Sequence, residues 1–221
     1  MRILIVSAHP DDEVLGVGGT IAKYTSTGAD VYICILAEGA TARYEDKMVA
    51  ELQECTLRAA KILGAREVYF EELPDERLDQ MPFIEVIKPL ERHIAEIKPE
   101  IVFTHHRGDA NTDHQIVFKA TIAATRTLRG NAVKKILCYE VPSSTEQSPP
   151  FIEYAFIPNV FVDITDTLDK KLEAMLQYKS EVGQYPHPRS IEALTIAAKH
   201  WGVKVSVKAA EAFMLVREII S

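Results

Sequence analysis

The sequence predicts an α/β protein: a mainly parallel sheet with helices covering both faces. Short apolar, β-rich runs alternate with amphipathic stretches of helical spacing, the order in which βαβ units lay parallel strands side by side. The strand-like runs ILIV and YICIL are continuously apolar rather than alternating, as strands buried on both faces are. The chain is also long enough for such a core. At 221 residues, area scaling gives roughly 10,000 Å² exposed when folded against about 36,000 Å² unfolded, so about 70% is buried without disulfide staples.

The elements follow in order. Arg2–Ser7 reads as a buried strand, and Asp12 to about Ser26 as a helix interrupted by GVGG. Asp30–Leu36 is a second strand. Tyr44–Leu63 has helical spacing, with Met48, Leu52, Cys55, Leu57, Ala59 and Ile62 along one broad face, and Gly64 ends it. Glu67–Phe70 is a short strand, Ile84–Ile97 a helix and Ile101–His105 a further strand. Thr112–Leu128 is a helix stopped by Gly130, and Lys135–Glu140 and Val160–Asp163 are later strands. The last third is expected to carry three helices, near Asp166–Lys179, Ser190–His200 and Ala209–Ile219. No repeat, low-complexity tract or long linker divides the chain, so residues 1–221 read as one domain, with a core of about 1–140 and a C-terminal part of 141–221.

Composition narrows the function. Hydrophobic residues make up 47% and charged ones 26%, which excludes a disordered chain. No apolar run approaches the roughly 20 residues that span a bilayer. The start, MRILIVSAHPDDE, meets a histidine and acids where a signal peptide would carry small residues. The expectation is a cytoplasmic protein with no membrane partner. A net charge of −7 without a basic stripe argues against nucleic acid. Cys34, Cys55 and Cys138 are far apart and form no CxxC; Cys34 and Cys138, in apolar strand-like runs, read as buried free thiols, and the set points to a reduced compartment.

Ligands of open parallel sheets bind beyond the carboxyl ends of the strands, and both chemically dense segments fall there. His9-Pro10-Asp11-Asp12-Glu13 directly follows the first strand. Four ionisable groups in five positions against an apolar run are costly to desolvate unless a cation compensates them. Imidazole with carboxylate suits zinc. His9 and Asp12, three apart, can be aimed by one turn at one point, leaving Asp11 directed elsewhere, and Pro10 holds His9 extended. A helix N-terminus rich in acids would explain the carboxylates but not the histidine.

The second segment, His105-His106-Arg107-Gly108-Asp109-Ala110-Asn111-Thr112-Asp113-His114, follows a later strand and opens a helix. One histidine from it would complete three protein ligands with an open fourth position, the arrangement of catalytic zinc. His114, in the first turn of a helix, is the best candidate; His105 and His106 are as readily core histidines. Asp113 can orient a histidine or a water by hydrogen bonding. Asp109 and Asn111 read as turn and capping residues.

The AHPDDE and DxNxDHQ segments resemble the PIG-L/LmbE-like family of zinc-dependent N-acetyl-sugar deacetylases. Weaker matches run through GATAR near Arg43, LPDERL at Leu73–Leu78, YEVPSSTE, PHPRS and AEAF, and together they span nearly the whole chain. The resemblance implies a Rossmann-like three-layer α/β/α fold. It also implies His9, Asp12 and His114 as metal ligands, Asp11 as general base, and a homo-oligomer such as a trimer or hexamer. The expected activity is removal of the acetyl group from an N-acetylglucosamine-type sugar or glycoconjugate. Zinc is the expected cofactor, and Fe²⁺ or Mn²⁺ is compatible with two histidines and an aspartate.

One departure stands out. Many family members have HxDH where this chain has Asn111 ahead of Asp113 and His114. His187, in PHPRS, is the candidate to replace that histidine, from the same chain or across an oligomer contact. Arg43, Asn111 and Arg189 are candidates to hold the substrate. A non-catalytic sugar- or nucleotide-binding module with a degenerate metal site is the alternative. A Rossmann oxidoreductase is disfavoured because GVGG is not a GxGxxG fingerprint.

Overall fold

A computed structural model describes residues 1–42, 47–127 and 133–220. Seven strands form one sheet in the order β3-β2-β1-β4-β5-β7-β6. The strands are β1 (Arg2–Ser7), β2 (Asp30–Ala37), β3 (Glu67–Leu73), β4 (Ile101–His105), β5 (Lys135–Tyr139), β6 (Val160–Asp163) and β7 (Ala210–Glu218). Among the described residues six α-helices accompany them: α1 (Asp12–Ser26), α2 (Lys47–Leu63), α3 (Phe83–Ile97), α4 (Thr112–Ala124), α5 (Leu168–Met175) and α6 (Ile191–Lys204). The five strands β3, β2, β1, β4 and β5 pair in parallel. β7 pairs antiparallel to both β5 and β6. The fold is α/β and Rossmann-like, with a mostly parallel sheet between helical layers.

The two faces explain the apolar strands. Ile3 and Ile5 of β1 face a core shared with α1 and α2, whereas Leu4 and Val6 face one shared with α3 and α4. Alternate residues of one strand thus serve different layers. The total accessible surface is 10575 Å², close to the scaling expectation for this length.

Most predicted elements lie where expected, and β7 is the correction. Ala209–Ile219 was expected as a helix, and its Ala, Glu, Met, Leu and Arg favour one. Instead Tyr139 of β5 sits opposite Phe213, and Val160 of β6 sits opposite the same Phe213. The segment satisfies the backbone groups of two neighbouring strands, which outweighs weak local propensity. A second correction concerns α1, which runs unbroken through GVGG. There the Gly19 and Thr20 amides donate to Glu211, and the Leu15 carbonyl accepts from Lys171. Gly19 lies so close to Ile164 that an added Cβ would come within 2.7 Å of it. On α2, Leu57 is 51% exposed, off the face that Leu52, Cys55 and Ala59 bury. The part of the Tyr44–Leu63 helix before residue 47 and the end of the Thr112–Leu128 helix at Leu128 lie outside the described residues; within them, α4 stops at Ala124.

Topology fixes where chemistry can occur. From β1 the chain crosses to β2 on one side, and later to β4 on the other. The loops leaving β1 and β4 therefore diverge above adjacent strand ends, at the switch point of the sheet. His9-Pro10-Asp11 leaves β1 there, and His105 to Asn111 leaves β4.

Candidate active site

Two neighbouring loops deliver the donors. His9 Nδ1 lies 3.5 Å from Asp12 Oδ2 and 3.3 Å from His114 Nε2, and the third side of this triangle, His114 Nε2 to Asp12 Oδ2, is 3.4 Å. Three ligands at zinc distances of 2.0–2.1 Å in tetrahedral geometry would be about 3.3 Å apart. The spacing of this triangle is that of a metal's coordination shell, and all three residues can place a donor atom in one group.

The outward-facing ring nitrogens support the same reading. His9 Nε2 lies 3.2 Å from Asp113 Oδ2 and 3.4 Å from Asp75 Oδ1. His114 Nδ1 lies 3.2 Å from Asp109 Oδ1, bent from the ideal hydrogen-bond line. In the neutral rings the acceptors behind each one draw the proton to that side, so the facing Nδ1 and Nε2 present lone pairs to one another and to a carboxylate. Three mutually facing lone-pair donors repel unless a cation lies between them. Burial opposes charge on both rings, yet Asp113 and Asp12 hold His9 well above the usual imidazole range, and Asp12 with Asp109 pushes His114 up to about 9. Asp12 is held well below the usual carboxylate range by His114 and His105, against the cost of burial. The local field selects positive charge, and the donor set fits a divalent cation.

Asp11 is positioned differently. Its backbone is left-handed, with φ 97° and ψ −28°, so the consecutive carboxylates of Asp11 and Asp12 diverge. That conformation disfavours a residue with a Cβ. Here it is held by the Asp11 amide donating to Glu13 Oε2 at 3.1 Å and by the Asp11 carbonyl accepting from Val14 and Leu15. Glu13 in turn accepts from the Tyr178 hydroxyl at 2.5 Å. The Asp11 carboxylate accepts from Arg189 Nη1 at 2.7 Å. Burial pushes the Asp11 carboxyl up, and Arg189 opposes it.

These groups open on a cavity of about 500 Å³. His9, Asp11, Asp12 and His114 line it together with Asn111, His187 and Arg189. His187 therefore reaches the cavity from its own chain. Its Nδ1 accepts from the Arg189 amide at 3.1 Å, so in the neutral ring Nε2 carries the proton. Gly183 makes room for that ring: an added Cβ would sit 2.4 Å from it. Arg189 is committed to ion pairs with Asp11 and Glu181 and donates through Nε to Ser143. Asn111 caps α4, its Oδ1 accepting from the Asp113 and His114 amides, while its Nδ2 donates to Glu76. Arg43 lies outside the described residues.

Asp75 and Asp109, set among the histidines, were not assigned these positions from sequence. Asp109 resembles a turn residue, yet it accepts from Ser144 and Thr145 as well as facing His114. His105 is a core histidine at the rim of the site: its Nε2 accepts from the Ala8 amide at 2.8 Å, and its ring stacks on His114. His106 is tied to the Tyr154 carbonyl.

The model of the PIG-L family, described as GlcNAc-PI de-N-acetylase, matches residues 4–125, more than half of the chain and both ligand-bearing loops. The chain belongs to the PIG-L family. This PIG-L protein is 28% identical over 191 residues to the diacetylchitobiose deacetylase of Thermococcus kodakarensis, covering 81% of this chain and 70% of that one. Among solved structures it resembles the N,N'-diacetylchitobiose deacetylase of Pyrococcus horikoshii, with a TM-score of 0.79 and 23% identity over 98% of this chain and 84% of that one. It equally resembles the 4-carboxy-2-hydroxymuconate hydratase of Pseudomonas putida, with a TM-score of 0.79 and 24% identity over 100% of this chain and 98% of that one. At such identities the two structures show a shared fold. Among the described residues no helix of this family member is long and apolar enough to cross a membrane.

Proposed function

We propose that this PIG-L protein is a metal-dependent hydrolase that removes the N-acetyl group from an N-acetylglucosamine-type sugar or glycoconjugate. The observation that carries this reading is the triangle of His9, Asp12 and His114 donors beside a separate carboxylate, Asp11, on the same cavity. A binding module would have no use for that additional buried acid. Zinc, or Fe²⁺ or Mn²⁺ in its place, would supply Lewis-acid polarisation of the acetamide carbonyl and acidify water.

The chain's own residues account for the proton movements. Asp11 takes a proton from water as its oxygen attacks the acetamide carbon, and Arg189 orients the carboxylate and opposes its protonation. His187 Nε2–H donates toward the developing oxyanion, the task of the histidine that Asn111 replaces. The proton held by Asp11 passes to the departing nitrogen, giving acetate and a free amino sugar. Asp113 fixes the His9 ring through Nε2. Asn111 and Arg189 line the cavity in which the substrate would sit, and Arg43 is kept as a substrate-binding candidate from the sequence.

The test is acetate release from N-acetylglucosamine, short chitooligosaccharides and other acetylated amino sugars by zinc-loaded protein. Asp11→Asn is expected to retain metal and lose turnover by about 10²–10⁴-fold. His187→Ala should lower kcat with metal content unchanged. Hydration of an unsaturated carboxylate without acetate release from any sugar would overturn the proposal in favour of hydratase chemistry.

A further inference from the structure

Ser143, in the YEVPSSTE segment after β5, holds a backbone conformation that its residue type disfavours. The Ser144 amide donates to the Val141 carbonyl at 3.1 Å and closes a turn with Pro142 and Ser143 at its centre. Ser143 has φ 80°, and a proline at the first central position keeps φ negative there, so the turn is of type II. Its second central position favours glycine, because a Cβ is strained there. The turn is held from several sides. The Ser143 amide donates to Glu146 Oε1 at 2.7 Å, and the Ser144 and Thr145 hydroxyls both donate to Asp109. A serine kept in this state on the wall of the cavity points to a use for its side chain.

That use is visible at Arg189. Arg189 Nε donates to the Ser143 hydroxyl oxygen at 2.7 Å, while Nη1 donates to Asp11 Oδ2 at 2.7 Å and to Glu181 Oε2 at 3.0 Å. Two carboxylates on one nitrogen leave a planar guanidinium able to swing towards either. A third acceptor, on a different nitrogen, fixes its rotation and so the direction in which Nη1 meets Asp11. Glycine, which the turn favours, would remove that acceptor.

We propose that Ser143 is a positioning residue for the hydrolysis: its hydroxyl fixes Arg189, and through Arg189 the Asp11 carboxylate that takes the proton from water. This deepens the reading of Asp11 as the base of a deacetylase and rests on it. Serine then favours turnover at a position where glycine would favour folding, a conflict expected at functional sites.

Ser143→Gly and Ser143→Ala separate side chain from backbone. Both lose the hydroxyl, but only glycine relieves the turn. In zinc-loaded protein both should lower kcat for acetate release by about 10–100-fold, with KM and metal content little changed. Ser143→Gly should nevertheless melt about 2–4 °C above Ser143→Ala. Parental kcat in Ser143→Gly would overturn the proposal, whatever Ser143→Ala does. A thermal cycle with Arg189→Met needs no turnover. Losing the hydroxyl breaks a bond only where Arg189 is present, so Ser143→Gly should raise Tm by more in Arg189→Met than in the parent. Equal increments would overturn the assignment of Ser143 to Arg189. Absence of acetate release from every sugar by the parent protein would instead remove the deacetylase reading, and the catalytic role of Ser143 with it. If Arg189→Met does not fold, the kcat of Ser143→Gly decides.

Discussion

Asp109 and Asp113 stand behind the two imidazoles on opposite sides of the candidate metal position. Each holds a ring by the nitrogen that does not face the donor triangle, which sets the tautomer and makes the facing nitrogen a better ligand. Burial raises the Asp109 carboxyl, but His114 together with Ser144 and Thr145 outweighs it and holds the group at about 2. Asp109→Asn should therefore weaken metal binding about 10–100-fold, a typical loss for a partner of a ligating histidine. Competition with a chromophoric chelator measures this, and unchanged affinity would remove Asp109 from the site. The candidate donors were legible, since a histidine beside consecutive acids after a strand has few structural explanations. Asp109 was not, because an aspartate before a helix is ordinary turn chemistry. Only the return of the chain at Ser144 and Thr145 encloses it.

Helix α4 shows how an element can carry a ligand. His114 is in its first turn, so its direction depends on how that turn is closed. Asn111 closes it by accepting from the Asp113 and His114 amides at 2.8 and 3.3 Å. Asn111→Ala should cost about 1 kcal/mol of stability, the usual value of such a cap, while Asn111→Asp should retain most of it. Urea unfolding of the two variants checks this, and equal losses would show that the cap is not what the side chain supplies. The parallel core, though not the order of its strands, could be read from the sequence because ILIV and YICIL are continuous apolar runs. β7 could not, since AEAFMLVRE has helical composition and its strand state is imposed by β5 and β6. The GVGG segment was an intermediate case. The helix continues through it, but Lys171 and Glu211 bond its backbone at Leu15, Gly19 and Thr20.

At the scale of the whole molecule, the sheet concentrates negative charge at one place. Asp12, Asp109 and Asp113 are each buried to within about 2%, in a chain whose net charge is already −7. Burying unpaired charge is strongly unfavourable, so folding and cation binding must be linked. A ligand bound only by the folded state stabilises it by about 4 kcal/mol at a thousandfold excess over Kd. For a chain of this size that corresponds to a rise in Tm on the order of 10 °C. Zinc added to the metal-stripped protein should raise Tm by this amount, and the rise should vanish in His114→Ala. A rise that survives in His114→Ala would mean that the cation acts elsewhere, and that the buried acids are balanced by protons on His9 and His114 instead.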